Sequence, residues 1–275
     1  MTLIRVAADN RESLRLRWNG ARLDITMDHD GHAVMTHGMV KEYRNLQSGF
    51  AEKPSRAPDW MVVSSNHGDD FCYGGDAKLL VSCVRKKDRE GLHDYAHDCI
   101  DMLLDNICGC RSDVITIGVV DGDAFGLGFE AAMSFDYLVA TPRSRFGFPD
   151  SEYGLFPGMG AQMFLSRKIG MASAKRMINE GAIEEASTMA DYGIVTHMAE
   201  SEDIGSIVDA IIERNEPKRA SIIAARRAMS RACPIGEADL RDIVDIWIDS
   251  VMNTSEENLN RIEGIMRQRA ERNAG

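Results

Sequence analysis

The sequence has no hydrophobic run long enough to cross a membrane. Its longest apolar stretch, near residues 114–120, is far shorter than the roughly 20 residues that a bilayer-spanning helix needs. The first ten residues also lack the apolar stretch of a signal peptide. We therefore expect a cytoplasmic protein that does not insert into membranes.

Cysteine and histidine are present without the spacing of a disulfide framework or a zinc site. The chain has six cysteines, and Cys108 and Cys110 have no second ligand pair at the usual distance along the chain. His93 and His97 lie four residues apart, a metal-ligand spacing on a helix, but the sequence implies no third ligand. We expect reduced, mostly buried thiols and no metal.

Positive charge is also in short supply. The 43 acidic residues outnumber the 32 basic ones and give a net charge of -11, so the averaged field of the protein repels polyanions. This argues against nucleic acid as a main partner. Residues 217–236 are an exception, because they contain five Lys or Arg and no acid. They fit a solvated or subunit-contact face, or alternatively a docking surface for an acidic carrier protein or for coenzyme A phosphates.

The apolar patterns that are present favour an α/β core. Residues 22–28 alternate between apolar and polar side chains, as in a half-buried strand, whereas residues 60–63 and 114–120 are continuous apolar runs typical of strands covered on both faces. Between those runs, apolar residues recur every three or four positions over 92–107, as on one side of a helix. Strands alternating with helices predict a parallel sheet.

Strand signals stop at about residue 203. Four helical segments follow, and they are 204–214, 217–231, 237–252 and 255–272. We therefore predict an α/β core over residues 1–203 and a helical region over residues 204–275. The third segment carries a wide apolar stripe that includes Trp247, which predicts that it packs on another body at a subunit contact.

Three loops combine glycines with acidic residues, and they lie at residues 70–78, 122–132 and 146–160. Glycines between a strand and a helix let backbone N–H groups approach an oxyanion. Glu130 follows the second loop and precedes an apolar run, and a carboxylate there is costly to bury unless it has a partner or a function. The three loops together indicate an enzyme site more specifically than any one of them does.

With these loops the chain resembles the crotonase (enoyl-CoA hydratase/isomerase) superfamily from about residue 22 onward. The segments that carry the resemblance are 72–76, 122–130, 148–150 and 190–195. Within the superfamily, the chain is most similar to the diffusible-signal-factor synthases. That similarity rests on residues 74–76, 128–132, 155–161 and 246–249.

The resemblance implies a crotonase-type ββα superhelix whose C-terminal helical region forms homotrimers or homohexamers. It implies an acyl thioester carried by coenzyme A or by the phosphopantetheine arm of an acyl carrier protein, with no further cofactor. The N–H groups of Gly75 and Leu127 would bind the thioester carbonyl, and Glu130 and Asp150 would act as the acid/base pair. The other substrate-binding residues it implies are Gly74, Lys78, Gly126, Gly158 and Met159.

At two of these positions the chain departs from the pattern that the resemblance implies. Relatives usually carry glycine where Leu127 stands and glutamate where Asp150 stands. The shorter side chain leaves two alternatives to Asp150 open, namely Glu152 in a shifted loop and a one-carboxylate mechanism such as that of an isomerase.

The resemblance leaves three functions open. The first is that of a signal-factor synthase, which dehydrates a 3-hydroxyacyl thioester to a cis-2-enoyl thioester and then hydrolyses it. The second is an enoyl-CoA hydratase or isomerase acting on coenzyme A esters. The third is a binding or scaffold subunit that has lost catalysis, a reading motivated by Leu127 and Asp150.

Overall fold

Two β-sheets form the centre of the protein in the computed structural model, which describes residues 13–29 and 31–273. In the described chain the strands are β1 (Leu14–Asn19), β2 (Arg22–Met27), β3 (Trp60–Ser65), β4 (Asp70–Cys72), β5 (Ile115–Val120), β6 (Asp123–Phe125), β7 (Tyr137–Ala140), β8 (Arg145–Gly147), β9 (Ile183–Glu185) and β10 (His197–Met198).

The larger sheet has the order β1-β2-β3-β5-β7-β10. Strands β1 and β2 form an antiparallel hairpin, and every later neighbour pairs in parallel. The predicted strands near residues 22, 60 and 114 are therefore confirmed, and so is the parallel sheet. Strand β5 is buried along its whole length, as its continuous apolar run predicts.

The smaller sheet has the order β4-β6-β8-β9, with β9 antiparallel to β8. Its strands are three residues long, too short for a periodic pattern to show in the sequence. The loops at residues 70–78, 122–132 and 146–160 continue from β4, β6 and β8, respectively. The small sheet therefore aligns the starts of all three loops.

The helices cover both sheets, and α3 confirms the helix predicted over residues 92–107. The α-helices of the described part are α1 (His37–Glu52), α2 (Ala77–Lys86), α3 (Arg89–Ile107), α4 (Leu127–Met133), α5 (Ala161–Ile169), α6 (Met171–Glu180), α7 (Ala186–Asp191), α8 (Ile204–Asn215), α9 (Arg219–Ala232), α10 (Glu237–Met252) and α11 (Glu256–Asn273). None of them, over the residues described, is both long and apolar enough to cross a membrane.

The C-terminal helices exist as predicted, but the inferred role of the Trp247 stripe is wrong. Trp247 on α10 is 7% exposed and belongs to the main hydrophobic core of its own chain. Helices α2 and α3 supply the apolar surface that covers α10, so the stripe needs no second subunit. Val208 and Ile223, on α8 and α9, join a second core on the larger sheet. The four C-terminal helices thus contribute side chains to the two cores, and their role in assembly stays a prediction.

The basic stretch at residues 217–236 is largely neutralised within the chain. Three of its arginines form ion pairs with acids of the core, and these pairs are Arg219–Asp59, Arg226–Asp136 and Arg227–Asp113. Arg226 also donates to the carbonyl oxygen of Val114. These contacts hold α9 against the core, which removes three charges from the docking surface considered above.

Candidate active site

A cavity of about 760 Å³ lies where the three loops meet, with α11 along one side. The nine site residues that the resemblance implies all line it, and these are Gly74, Gly75, Lys78, Gly126, Leu127, Glu130, Asp150, Gly158 and Met159. Residues separated by up to 85 positions are thus brought into one space. Glu152, by contrast, is exposed and does not line the cavity.

Glu130 is the more deeply buried of the two carboxylates. It lies one turn into α4 with 1% of its surface exposed, and its Oε1 accepts hydrogen bonds from the backbone N–H groups of Met159 (2.8 Å) and Ala161 (3.0 Å). Burial, reinforced by the nearby charge of Asp150, raises the pKa of Glu130 to about 8. Glu130 therefore holds a proton at neutral pH.

Asp150 supplies the second carboxylate from a 3₁₀ turn, Pro149–Tyr153, that follows β8. Its Oδ2 is buried and has no hydrogen-bond partner among the described residues. Burial raises the pKa of Asp150 to about 6, so at neutral pH it is mostly ionised. An unsatisfied carboxylate oxygen facing a cavity is a ready acceptor for a proton from a ligand.

Gly126 keeps the space between the loops and the carboxylate open. Its φ of 51° lies in the region that favours glycine. A Cβ at this position would also lie 3.6 Å from both Asp150 Oδ2 and the Cα of Gly74. A larger residue would be strained and would fill the gap where the first two loops meet Asp150.

Two backbone N–H groups are left free to bind a ligand. The carbonyl of Gly126 accepts bonds from Phe129 and Glu130, both at 3.0 Å, and in a trans peptide the N–H of Leu127 must then point the opposite way, out of α4. By the same argument, Met35 N–H bonds the carbonyl of Gly74 at 2.9 Å and turns the N–H of Gly75 away from Met35. Neither N–H has a partner in the part of the chain that the structure describes.

Lys78, Gly158 and Met159 also line the cavity. Lys78 is exposed in the first turn of α2, where its ammonium group is available to a phosphate. Gly158 packs so closely on α10 that a Cβ would lie 2.2 Å from Trp247 Cγ. Met159 is 4% exposed and contributes apolar wall beside the N–H that binds Glu130.

Some cavity residues are missed by the sequence argument. Trp247 lines the cavity instead of a subunit contact, and Ile262, Ile265 and Met266 of α11 form part of its wall. No local signal in the sequence places α11 there. Tyr95 also lines the cavity, and a tyrosine within a buried helical stripe is a usable signal, because its hydroxyl needs a partner.

Together these groups provide two donors for a developing oxyanion, one carboxylic acid and one carboxylate. Donors fixed by the fold stabilise charge that appears during a reaction on a carbonyl compound. A protonated Glu130 beside an ionised Asp150 is the arrangement that general acid–base catalysis needs near neutral pH. The site is thus suited to proton transfers next to a polarised carbonyl.

A third potential ligand does lie beside His93 and His97. Asp245 of α10 brings an oxygen within 4.8 Å of their ring nitrogens. However, Arg241 contacts Nδ1 of His97 at 3.0 Å and Asp245 contacts Nε2 at 3.2 Å. A neutral imidazole has one N–H and one lone pair, so both nitrogens are already engaged and the cluster is a hydrogen-bonded ion-pair network.

Comparison with known proteins shows one matching family and several similar sequences. A family model described as enoyl-CoA hydratase/isomerase matches residues 30–274. An enoyl-CoA isomerase/hydratase of Mycosarcoma maydis is 28% identical over 175 residues, 63% of this chain and 61% of that protein. The mitochondrial 3-hydroxyisobutyryl-CoA hydrolase of Xenopus laevis is 26% identical over 186 residues, 67% of this chain and 46% of that protein. The chain thus spans less than two thirds of either relative.

The fold has close counterparts among solved structures. A putative enoyl-CoA hydratase from Streptomyces avermitilis superimposes with a TM-score of 0.79, covering 94% of this chain and 91% of that one. The two sequences are 20% identical, so this likeness concerns the fold alone.

Proposed function

Because the chain belongs to the enoyl-CoA hydratase/isomerase family of the crotonase superfamily, we propose that its cavity binds an acyl thioester and removes or adds water across carbons 2 and 3. The observation that carries this proposal is the meeting of Glu130 and Asp150 in one cavity beside two unpaired N–H groups. An acid, a base and a carbonyl-binding pair are the parts that this reaction needs.

In the dehydration direction, the thioester carbonyl oxygen accepts hydrogen bonds from Gly75 and Leu127. The Asp150 carboxylate takes the proton from carbon 2, and the electron pair moves toward the carbonyl as an enolate. Removing one donor from an oxyanion hole raises the activation free energy by about 3 kcal/mol, and we expect each of these N–H groups to contribute a similar amount. Protonated Glu130 then gives its proton to the 3-hydroxyl group, which leaves as water while the 2,3 double bond forms.

We further propose that the same site hydrolyses the thioester, as the resemblance to signal-factor synthases implies. After dehydration Glu130 is a carboxylate, so it is able to take a proton from a water that attacks the carbonyl. The two N–H groups would stabilise the tetrahedral oxyanion in the same position. When this intermediate collapses, the C–S bond breaks and the carrier thiolate takes the proton that Asp150 gained from carbon 2, so the free acid and the thiol leave with Glu130 protonated and Asp150 ionised again. The relative from Xenopus laevis, described as a hydrolase of a coenzyme A ester, supports hydrolysis on this fold.

The carrier is the remaining part of the proposal. Both coenzyme A and the phosphopantetheine arm of an acyl carrier protein end in a thiol and contain a phosphate, which suits Lys78 at the edge of the cavity. No cofactor other than this carrier arm is proposed, because the acid/base steps above need none.

The test is product analysis on the two carriers. Purified protein is incubated separately with a 3-hydroxyacyl carrier-protein thioester and with a short enoyl-CoA, and products are identified by mass spectrometry. Free cis-2-enoic acid supports the synthase reaction, and a hydrated coenzyme A ester supports the hydratase. The Glu130→Gln variant is the matched control. No turnover on either carrier would contradict the proposal and favour a binding or scaffold subunit.

A further inference from the structure

Tyr95 of α3 joins the two chain segments that hold the Gly75 loop. Its side chain is 2% exposed. The hydroxyl donates to the carbonyl oxygen of Met35 at 2.8 Å and accepts from the N–H of Asp76 at 2.8 Å. Burial raises the pKa of Tyr95 well above its ordinary value, so the hydroxyl keeps its proton at neutral pH.

The hydroxyl stands where two backbone groups would otherwise pair directly. Met35 and Gly75 are opposite each other in a parallel bridge, a register in which the N–H of Asp76 faces the carbonyl of Met35. No short direct hydrogen bond joins these two groups in the described chain, and the tyrosine hydroxyl bonds both of them. The side chain thus acts as a spacer between the loop and the segment before α1.

This spacer fixes the peptide on each side of Gly75. The carbonyl before Gly75 is bonded to Met35 N–H at 2.9 Å, and the N–H after it is bonded to Tyr95. The hydroxyl also lies against Gly75 itself, since a Cβ there would be 2.8 Å from the hydroxyl oxygen. The free N–H of Gly75 therefore has one orientation, set from both sides.

We propose that Tyr95 is a positioning residue that aims the Gly75 N–H at the thioester carbonyl by keeping Asp76 and Met35 apart. This inference rests on the proposed function for its catalytic consequence, although its geometric part does not. Without the hydroxyl, Asp76 N–H and Met35 C=O are free to pair, which moves the loop toward Met35 and turns the Gly75 peptide. A donor misplaced by about 1 Å lowers catalysis by as much as a hundredfold.

The variant Tyr95→Phe removes the hydroxyl and keeps the ring. Its matched control is Tyr43→Phe, because Tyr43 is also buried and its hydroxyl donates to Asn106 at 3.2 Å, outside the lining of the cavity. We expect Tyr95→Phe to lower kcat by about 10- to 100-fold with KM changed by about twofold or less. We expect Tyr43→Phe to lose a similar amount of thermal stability and to keep the wild-type kcat.

A spectroscopic measurement distinguishes a changed orientation of the Gly75 N–H from a general loss of structure. The coenzyme A thioester of 4-dimethylaminocinnamic acid absorbs at longer wavelength when its carbonyl is polarised. We expect the shift to be large with wild-type protein, smaller with Tyr95→Phe and unchanged with Tyr43→Phe. Wild-type kcat and a full shift in Tyr95→Phe would overturn the proposal.

Hydrogen exchange tests the geometric part even if the proposed function fails. Failure of that function appears as no turnover and no shift with the wild-type protein. In that event, faster amide exchange over residues 72–80 in Tyr95→Phe than in Tyr43→Phe still supports the positioning of the loop. Equal exchange in the two variants would overturn it.

Discussion

The proton held by Glu130 makes the protein's stability depend on pH. Its pKa is about 8 when folded, against an ordinary value of 4.5, so the folded state binds more protons than the unfolded state between these pH values. The contribution of Glu130 to the free energy of unfolding is therefore fully present below about pH 4.5 and is lost as the pH rises through about 8. Asp150, with a pKa raised to about 6, adds an effect of the same sign at lower pH.

Glu130→Gln should separate this effect from catalysis. The amide oxygen is still able to accept the two N–H groups of Met159 and Ala161, but the side chain no longer titrates. We expect turnover to decrease by about 100- to 10,000-fold, while Tm depends less on pH from 6 to 9 than in the wild type. Thermal unfolding across this range measures the second effect. A Glu130→Gln variant that keeps more than a third of the wild-type rate would contradict the catalytic role.

The pH profile of kcat/KM should have an acidic and a basic limb. Below about pH 6 Asp150 is protonated and the base is lost, whereas above about pH 8 Glu130 is ionised and the acid is lost. We expect kcat/KM for dehydration to be bell-shaped with apparent values near these two, which belong to the pair and not to either residue. Steady-state rates from pH 5 to 9 provide the measurement. A flat profile would argue against paired acid/base catalysis.

Asp150 is the position where this chain's carboxylate is one methylene shorter than the resemblance leads us to expect. Asp150→Asn keeps the shape but takes up no proton, so we expect kcat to decrease by about 100- to 10,000-fold and exchange of the carbon-2 proton with deuterium to stop. Asp150→Glu should keep or raise activity, because the side chain faces open cavity. If Asp150→Asn leaves both rates untouched, the carboxylate is structural and one carboxylate does the chemistry.

Most residues of the candidate site can be predicted from the sequence, but the residues that position them cannot. The family resemblance carried by the three loops points to nine residues that line the cavity, whereas glycines alone fit any tight strand-to-helix turn. The role of Tyr95 depends on where Met35 and Asp76 lie in space. Sequence spacing within one helix contains no information about such partners.

At the scale of elements, the packing of α10 sets the loop that binds Glu130. The Trp247 ring packs directly against Gly158. The next residue along the loop, Met159, donates its N–H to Glu130. The loop is thus held from two sides, by α10 on one and by the carboxylate on the other. A shift of α10 would change the hydrogen bonds that oppose the raised pKa of Glu130.

Gly158→Ala tests this coupling. The new Cβ would meet Trp247 Cγ at 2.2 Å, so the loop or the ring must move, and we expect a loss of about 1–3 kcal/mol of stability from overpacking together with a lower kcat. Gly205→Ala on α8 is the control, because a Cβ there meets nothing within 4 Å and helix propensity favours alanine by up to about 1 kcal/mol. Chemical denaturation and kinetics compare the two. Wild-type stability in Gly158→Ala would show that α10 does not constrain the loop.

Element prediction succeeds where the periodic pattern is long and fails where it is short. Helix α3, with 19 residues, and strand β5 are evident from the sequence. The three-residue strands of the smaller sheet are not, because so few residues show no clear alternation. The stripe on α10 correctly indicates burial, but an apolar stripe does not specify whether its partner belongs to the same chain.

In the assembled protein, we expect the subunit contact on a different surface, because the Trp247 stripe is buried within its own chain. Helix α9 buries only Ile223 among its fourteen residues, all of them described. Met229 on the same helix is 64% exposed, whereas the Trp247 stripe is already covered. If the region after residue 203 mediates a trimer or a dimer of trimers, α9 is a better candidate for the contact than the inner face of α10.

We therefore expect light scattering to give three or six chain masses for the wild-type protein, and a lower mass for Met229→Asp, because a carboxylate in an apolar contact is costly to desolvate. The control is Met171→Asp, which introduces the same charge at a methionine that is 71% exposed on α6, outside the C-terminal helices. Trp247→Asp is unsuitable for this purpose, because it would disrupt the core of its own chain. A wild-type monomer would end the assembly prediction. A Met229→Asp variant with unchanged mass would place the contact elsewhere than on α9.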